Sequence, residues 1–591
     1  MNRTGKTLWA WAALISCGIF LCPDTGLANN LRISNLTLED RGSSQTSLGN
    51  YYATAQFDIS WDNSWRNETN YDGTWIFFKI YNTASGFFFD AMLDYATGGD
   101  GTTRRDIDPE RSSYGTNGNL QIEVPVDSGR DPDGFFIYRK SNGSGTIQSS
   151  KVRVPVRISS SLQAVDIILY AYAIEMVYIP TAAFYAGDTT SAAAFKQGSS
   201  DSDPWYLDSD STLRTANTAS NSFYYSWTGA SDEFSDGTVF TIPVSYPLGY
   251  SDFWIMKYEL TEGQYVDFFN TLGSTAKTNR NITSASGKNS TSVVFRNTFT
   301  TDGGSPPISS TIRTDRAMSY ISWVDLSAYL DWAKLRPMSE FEYEKAARGP
   351  LSPVAGEYAW GSTTLNRGFT FSTSPEDGTE TFTDTNANAV YNNTTFSLGD
   401  DFLGSAYARG PVRSGIFATN GSSRTAAGAG YYGVMDLTGN VNERVVGVGN
   451  TTVLYYWPTN GDGDLDESGS GYALELGWIG LDYPNGSNGV INTPDGVGLK
   501  GGGWSELTTS NMRVSDRGYT MSADSSRGSA FGGRGVRGYN AKNPLINCGD
   551  GIVQPPEQCD DQGASGGICT AECLCTSDEI STCNGEAPPD G

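Results

Sequence analysis

The chain has 591 residues, of which 38% are hydrophobic and 12% aromatic, so it can form packed cores and is not a disordered protein. Its formal charge is -26, and the sequence has no cluster of basic residues that could bind phosphates, which excludes nucleic-acid binding. The chain has no histidine, which excludes Ser-His-Asp triads, histidine-ligated zinc and three-histidine iron sites. The acidic charge itself has two explanations, solubility or metal binding by oxygen ligands. The length predicts about three or four domains.

Residues 1–28 have the pattern of an export signal. Basic residues precede an apolar run at residues 8–21, and a small-residue site ends at Ala28, which predicts cleavage before Asn29. The run is shorter than the ~20 apolar residues of a transmembrane helix. We expect an exported protein, extracellular or on the cell surface, with no transmembrane helix. A lipoprotein signal with lipidation of Cys17 is the alternative.

Residues 29–173 contain alternating polar and apolar runs separated by turn-rich segments. This pattern predicts a β-sandwich-like, all-β domain. Trp61, Trp65 and Trp75 are predicted to pack in the core or on the sheet, and a carbohydrate-stacking surface is the alternative.

Residues 174–545 are predicted to form an α+β domain, in which a few helices interrupt a long Gly- and Ser-rich β region. Thr261 followed by Gln264 forms a capping-box pattern and predicts a helix that Gly273 ends. Further helices are predicted to begin at Ser322 and Ser339.

Six short motifs occur in order between residues 174 and 540. They read FWIMKYELTEGQY at 253–265, SWVDLSAYLDWAKLRPMSEFEYEKAARG at 322–349, YAWG at 358–361, GVMDLTGNV at 433–441, KGGGW at 500–504 and GVR at 535–537. Together they resemble the formylglycine-generating-enzyme (sulfatase-modifying factor) family. The resemblance implies a C-type-lectin-like fold with long irregular loops.

Catalysis in that family requires two cysteines shortly after the fifth motif, which bind copper(I). In this sequence the corresponding positions are Glu506 and Asn511, and no cysteine lies between Cys22 and Cys548. Soft thiolates are the ligands that copper(I) prefers. We therefore expect neither copper nor iron, and a protein without the family's oxidase activity. An oxidase with altered chemistry is the alternative.

The resemblance also implies structural Ca²⁺, because family members hold it with side-chain and backbone oxygens. One set of ligands maps to Asn366, the carbonyl of Arg367, Asp400 and the carbonyl of Phe402. A second set maps to Asp436, the carbonyls of Gly439 and Val441, and Glu443. The alternative for the second set is that Asp436 and Glu443 cap turns or pair with Arg444.

A third candidate for metal binding is an acidic loop with oxygen ligands at every second position, as in the first half of an EF-hand loop. Its candidate ligands are Asn460, Asp462, Asp464 and Asp466. The glutamate expected at position 12 of such a loop is replaced by Tyr472, so a solvated acidic turn is the alternative.

Residues 546–591 resemble the cysteine-rich repeat of myxobacterial-type surface proteins, here in a single copy. An even number of cysteines in an exported chain predicts a small disulfide module, with the connectivity left open. The six cysteines are Cys548, Cys559, Cys569, Cys573, Cys575 and Cys583.

These observations favour a secreted or cell-surface, calcium-braced protein that binds a ligand or mediates adhesion. Residues 505–533 take the place of the enzymes' active site, and Arg513, Arg517 and Tyr519 are the candidate contacts for an extracellular glycan or protein. A structural protein of the cell surface or matrix is the alternative that the missing catalytic groups fit equally well.

Overall fold

The computed structural model describes residues 30–39, 51–93, 120–125, 132–159, 162, 166–197, 203–210, 214–216, 223–230, 233–372, 378–394, 406–419, 421–450, 456–466, 469–475, 477–480 and 490–538. The predicted signal peptide with Cys17, the disulfide module at residues 546–591, and the candidate calcium ligands Asp400 and Phe402 lie outside these residues. In the part of the chain that is described, no helix is long and apolar enough to span a membrane.

The N-terminal region is built from long antiparallel strands. They are β1 (Arg32–Glu39), β2 (Tyr51–Arg66), β3 (Asp72–Asn82), β4 (Phe87–Leu93), β5 (Leu120–Glu123), β6 (Gly134–Arg139), β7 (Gly143–Ile158) and β8 (Ile167–Ile179). Their order in the sheet is β1-β2-β7-β4-β3-β8, with β6 pairing with β3 and β5 with β6. The sheet folds over, so that the inner faces of β2 and β7 pack against those of β3 and β6.

Strand β3 is buried on both faces because its alternate side chains enter two different cores. Ile76, Phe78 and Ile80 face β2 and β7, whereas Trp75 and Phe77 pack against the helices of the following domain. Trp61 and Trp75 are 1% and 0% exposed, which confirms the prediction that they pack in a core.

The rest of the described chain has shorter strands and four α-helices. The strands are β9 (Phe184–Ala186), β10 (Lys196–Gln197), β11 (Trp205–Leu207), β12 (Arg214–Ala216), β13 (Phe223–Tyr224), β14 (Phe240–Ile242), β15 (Phe253–Met256), β16 (Thr300–Thr301), β17 (Ser309–Ser310), β18 (Asn442–Val446), β19 (Val497–Lys500), β20 (Phe531–Gly532) and β21 (Val536–Gly538). The helices are α1 (Glu262–Thr271), α2 (Ser274–Arg280), α3 (Trp323–Trp332) and α4 (Glu340–Arg348). This β-rich, multi-sheet structure with few helices agrees with the predicted class.

The large sheet continues from the N-terminal region into the second region. Strand β8 pairs with β3 along its first part and with β15 along its last part, and β15 pairs with β21 near the end of the described chain. The predicted boundary between residues 173 and 174 therefore falls inside a strand, and the two regions share backbone hydrogen bonds.

Capping boxes begin α1, α3 and α4. In each one the side chain of Thr261, Ser322 or Ser339 accepts a hydrogen bond from the backbone N–H three residues on. The side chain of that third residue accepts one in turn from the backbone N–H of the cap residue. The three predicted helix starts are thus confirmed. Helix α1 ends at Thr271 with Leu272 as its C-cap, directly before Gly273 as predicted, and Gly273 is then the N-cap of a second helix, α2.

Candidate functional site

The segment after β19 is fastened to the domain by a buried lysine. Gly501 and Gly502 have φ values of 84° and 68°, which turn the chain sharply after Lys500. The Lys500 Nζ donates to the carbonyl of Val514 at 2.8 Å and to that of Asp516 at 3.1 Å. The loop that carries residues 505–513 is therefore closed at its base by one ammonium group.

Glu506 and Asn511 lie side by side within this loop. The Asn511 amide donates a hydrogen bond of 3.3 Å to Glu506 Oε1, which also accepts one of 2.8 Å from the backbone N–H of Thr508. A 3-10 helix at Thr509–Met512 brings the two side chains together, and both are partly exposed. The two positions that the resemblance assigns to catalysis are thus adjacent and accessible.

The donor atoms at these positions do not fit a copper(I) site. Carboxylate and amide oxygens are hard ligands, whereas copper(I) selects thiolate or thioether sulfur. The residues present make a hydrogen bond with each other instead of presenting two sulfur atoms. No step of the parent chemistry can be assigned to this pair.

Of the three predicted ligand contacts, Arg517 is placed where it cannot meet a ligand. It is 0% exposed, and its guanidinium donates to both carboxylate oxygens of Glu340, at 2.6 and 3.0 Å. It also lies 4.3 Å from the ring centre of Phe195. The prediction for Arg517 is corrected: this arginine is buried between Phe195 and Glu340, the first residue of α4.

The other two predicted contacts lie nearer the surface. Arg513 is half-buried, and Tyr519 is 50% exposed. Leu507, which the sequence analysis did not select, is 63% exposed beside Glu506. The surface of residues 505–519, which we call the loop from here on, therefore presents an aromatic ring, an apolar side chain and a polar pair.

At the second predicted calcium site the cation is an arginine. Arg534 is 0% exposed and donates to both carboxylate oxygens of Glu443, at 2.6 and 2.7 Å. It also donates to the carbonyls of Met256 and Met435, at 3.0 and 2.8 Å. The pairing considered from the sequence, between Glu443 and Arg444, is not formed; Arg444 donates to the backbone carbonyls of residues 321, 524 and 526.

Three buried carboxylates surround Arg534, and we call these four side chains the Arg534 cluster: Arg534, Glu259, Asp436 and Glu443. Burial raises the pKa of all three acids, and for Glu259 the charges of Asp436 and Glu443 raise it further. The charge of Arg534 opposes the rise in each case. The guanidinium thus supplies the positive charge that a metal ion would supply there.

The residues of this second set do not fit calcium. A Ca²⁺ ion bound to Glu443 would have to displace the Arg534 guanidinium, which both oxygens of that carboxylate already accept. One carboxylate oxygen of Asp436 is also occupied, because its Oδ2 accepts a 2.6 Å hydrogen bond from the backbone N–H of Gly415.

The first predicted set is described only in part. The Asn366 carbonyl accepts hydrogen bonds from the backbone N–H groups of Asn388 and Ala389, and the Arg367 side chain donates to Asn393 at 2.7 Å. These contacts hold residues 366 and 367 in position. Since Asp400 and Phe402 lie outside the described residues, calcium at this set stays a prediction.

A group of three carboxylates that could hold a metal ion lies at the end of α3. Asp331, Asp462 and Glu475, here called the Asp331 cluster, bring ligand oxygens within 4.8 Å of one another. Asp331 is 0% exposed and Glu475 is 5% exposed. The backbone N–H groups of Asp462 and Gly463 donate to Asp331 Oδ1 at 3.1 and 3.2 Å.

Burial raises the pKa of Asp331 well above its usual range, and the charges of Glu475 and Asp462 raise it further. The three oxygens are about half of the six to eight that Ca²⁺ takes, so carbonyl or water oxygens would have to complete the shell. Either a divalent cation or a shared proton would relieve the repulsion between these carboxylates.

The acidic loop contributes one ligand to this group rather than four. Asp462 belongs to it, whereas Asp464 and Asp466 do not, and Asn460 Oδ1 accepts a hydrogen bond from the backbone of Gly538. Metal binding by Asn460, Asp464 and Asp466 stays a prediction. Sequence reasoning missed Asp331 and Glu475 because α3 and a distant loop bring them together.

The comparisons with known proteins identify the second region. A search of curated proteins found no match. A model of the sulfatase-modifying factor enzyme 1-like domain, FGE-sulfatase, matches residues 229–538. These residues hold the helices with the capping boxes, the Arg534 cluster and the Glu506–Asn511 pair. Because the match spans more than half of the 591 residues, the chain belongs to the sulfatase-modifying factor enzyme 1-like family.

Proposed function

We propose that this protein is a non-catalytic, exported member of its family that binds an extracellular glycan or protein ligand. The observation that carries the proposal is the hydrogen bond between Glu506 and Asn511, at the two positions where the family's chemistry needs cysteines. Residues 229–538 contain neither cysteine nor histidine that could replace them. Export is supported by the signal pattern at residues 1–28.

Ion pairs buried around the loop support a binding role for it. Glu344 accepts from Lys500 at 3.4 Å and from Arg348 at 3.0 Å, while Glu340 holds Arg517. Breaking one partner of a buried pair typically costs about 3–5 kcal/mol, so these contacts fix the loop base firmly. A rigid base under an accessible loop is the arrangement by which many folds present ligand-binding residues.

Leu507 and Tyr519 are the side chains we propose for ligand contact. They are 63% and 50% exposed, so a ligand can reach both side chains without rearrangement of the loop. The proposal includes calcium as a structural ion, for which the Asp331 cluster is the best described candidate. Calcium there would join α3 to the loop around Asp462.

Two assays on the full-length protein test the proposal. With copper and a sulfatase-type cysteine peptide, we expect no oxygen consumption and no aldehyde product. In a screen of glycans and surface proteins, saturable binding should be weakened by Tyr519→Ala and Leu507→Ala but not by Val239→Ala, a matched exposed apolar residue outside the loop. Peptide turnover, or binding indifferent to both loop variants, would contradict the proposal.

A further inference from the structure

A buried lysine joins the N-terminal sheet to the family domain. Lys257 directly follows β15, and its Nζ lies 2.9 Å from Oδ2 of Asp72, the first residue of β3. Strand β8 runs between β3 and β15, and its residue Glu175 brings Oε2 within 3.5 Å of the same Nζ. We call these three side chains the Lys257 triad. The fold thus places an amine, an acyl group and a second carboxylate in contact.

The Lys257 triad is shielded from water. Asp72, Lys257 and Glu175 are 0%, 2% and 7% exposed. Charges buried in this way lose their hydration, and their mutual attraction often repays that cost only in part. A reaction that converts the ammonium and the carboxylate into one neutral group would therefore be stabilising.

The Asp72 carboxylate is held as an acyl group under attack needs to be held. Its Oδ2 faces Lys257, whereas its Oδ1 accepts hydrogen bonds from Ser64 Oγ at 3.0 Å and from the backbone N–H of Trp65 at 2.8 Å. Ser64 Oγ itself accepts from Arg139 Nε at 3.1 Å, which orients the Ser64 O–H toward Asp72. Two fixed donors on one oxygen stabilise the negative charge that develops there during attack at the carbonyl carbon.

A second buried lysine pair lacks such donors and provides a comparison within the same chain. Lys79 Nζ lies 2.8 Å from Asp90, and Lys334 Nζ lies 2.6 Å from the same carboxylate. Among the described residues, Asp90 Oδ1 accepts no hydrogen bond. Two ammonium groups therefore share this carboxylate, without neutral donors to stabilise an oxyanion.

We propose that Lys257 and Asp72 condense to form an isopeptide bond, with Glu175 as the proton carrier. One ammonium proton passes to Oδ2 across the 2.9 Å contact, so that a neutral amine faces a carboxylic acid. Nζ then attacks Cγ, negative charge collects on Oδ1, and Glu175 takes a second proton from Nζ and gives it to Oδ2. The Cγ–Oδ2 bond breaks, one water leaves, and Glu175 returns to its starting state. No oxidant, metal or further reactant takes part.

The resting state of the Lys257 triad is an ion pair. Burial lowers the pKa of Lys257, but the charges of Asp72, Tyr258 and Glu175 outweigh burial and raise this pKa. The lysine must therefore lose a proton within the triad before it becomes a nucleophile. Since β3, β8 and β15 meet only in the folded sheet, the reaction follows folding. The bond would join the two regions covalently, whichever ligand the protein binds, so the inference does not rest on the proposed function.

The test is the mass of the full-length protein, measured after denaturation and reduction of disulfides and followed by tryptic mapping. We expect a mass that is one water below the mass calculated from the observed N-terminus, and a branched peptide that joins residues 67–79 to the segment with Lys257. Lys257→Arg keeps the positive charge but cannot form the bond, and Glu175→Gln removes the proton carrier, so both should have the full calculated mass. Lys79→Arg is the matched control and should keep the loss of water. Circular dichroism shows whether each variant is folded.

Each other outcome contradicts the inference in a recognisable way. The full calculated mass in the wild type would leave the Lys257 triad as an ion network and overturn the proposal, whatever the variants do. A succinimide at Asp72 and Gly73 also loses one water, but it gives a linear peptide and persists in Lys257→Arg, so that pattern would overturn the assignment too. A branch from Lys257 to Glu175 would do the same. None of these results bears on the proposed function, which the loop variants test.

Discussion

The Arg534 cluster gives the sharpest prediction for stability. Arg534→Gln removes a guanidinium that donates to both oxygens of Glu443 and to the backbone carbonyls of Met256, Lys257 and Met435, all in a fully buried site. Removing one partner of such a pair costs about 3–5 kcal/mol, because the carboxylate left behind is buried without compensation. With roughly 2–4 °C of melting temperature per kcal/mol, Tm should fall by roughly 6–20 °C at pH 7.

Thermal unfolding followed by circular dichroism measures this effect, and two further variants make it specific. Adding Glu443→Gln to Arg534→Gln should recover part of the loss, because the uncompensated charge disappears. Arg153→Gln is the control: its pair with Glu39 is well exposed, so its loss should cost about 0–1 kcal/mol. The reasoning is refuted if Arg534→Gln melts as Arg153→Gln does, or if Glu443→Gln deepens the loss.

The same variant tests whether the guanidinium takes the place of a metal ion. Without Arg534, the cluster keeps three buried carboxylates and the carbonyls of Met256 and Met435, which are oxygen ligands of the kind that Ca²⁺ prefers. Millimolar Ca²⁺ should therefore raise the Tm of Arg534→Gln by more than it raises that of the wild type. An equal rise in Tm in both proteins would contradict the idea that the Arg534 guanidinium takes the place of a bound metal ion.

Three other predictions concern separate sites. Glu475→Gln should raise Tm in the absence of calcium, because it relieves the repulsion between the carboxylates of the Asp331 cluster. The same variant should abolish any rise in Tm that Ca²⁺ gives the wild type through this cluster. A lower Tm with calcium binding intact would argue against the cluster as a metal site. Burial raises the pKa of Glu233 from 4.5 to about 7, so between these pH values the folded state keeps a proton that the unfolded state loses. The free energy of unfolding of the wild type, relative to that of Glu233→Gln, should therefore fall as pH rises from about 4.5 to 7. Urea titrations measure this difference, and a difference that stays constant with pH would show the shift to be absent. Ser339→Ala removes the cap of α4 and should cost about 0.5–2 kcal/mol. The exposed Ser352→Ala is the control and should leave the free energy of unfolding unchanged.

Local sequence signals predicted the features that short-range physics determines. The capping boxes at Thr261, Ser322 and Ser339 need only four residues each, and all three are formed. The strand alternation likewise follows from neighbouring residues. The boundary between domains could not be placed this way, because β8 continues across residue 173 and its pairing with β15 depends on the whole fold.

The candidate sites were harder to predict because burial and long-range pairing decide them. Arg517 and Tyr519 are two residues apart, yet one is buried on Glu340 and the other is half exposed. Asp331 and Glu475 lie 144 positions apart in the sequence and carry no local spacing pattern. The Arg534–Glu443 pair is a further case, since the sequence offered the adjacent Arg444 as the nearer partner.

Copper(I) binding tests the central claim most directly. Competition with a chromogenic copper(I) chelator should show no tight site in the wild-type protein, because Glu506 and Asn511 offer oxygen atoms to a metal that prefers sulfur. The double variant Glu506→Cys, Asn511→Cys, assayed under reducing conditions, should bind one equivalent, since the two side chains are already in contact. One equivalent of tightly held copper(I) in the wild type, with oxidation of a cysteine peptide, would contradict the account.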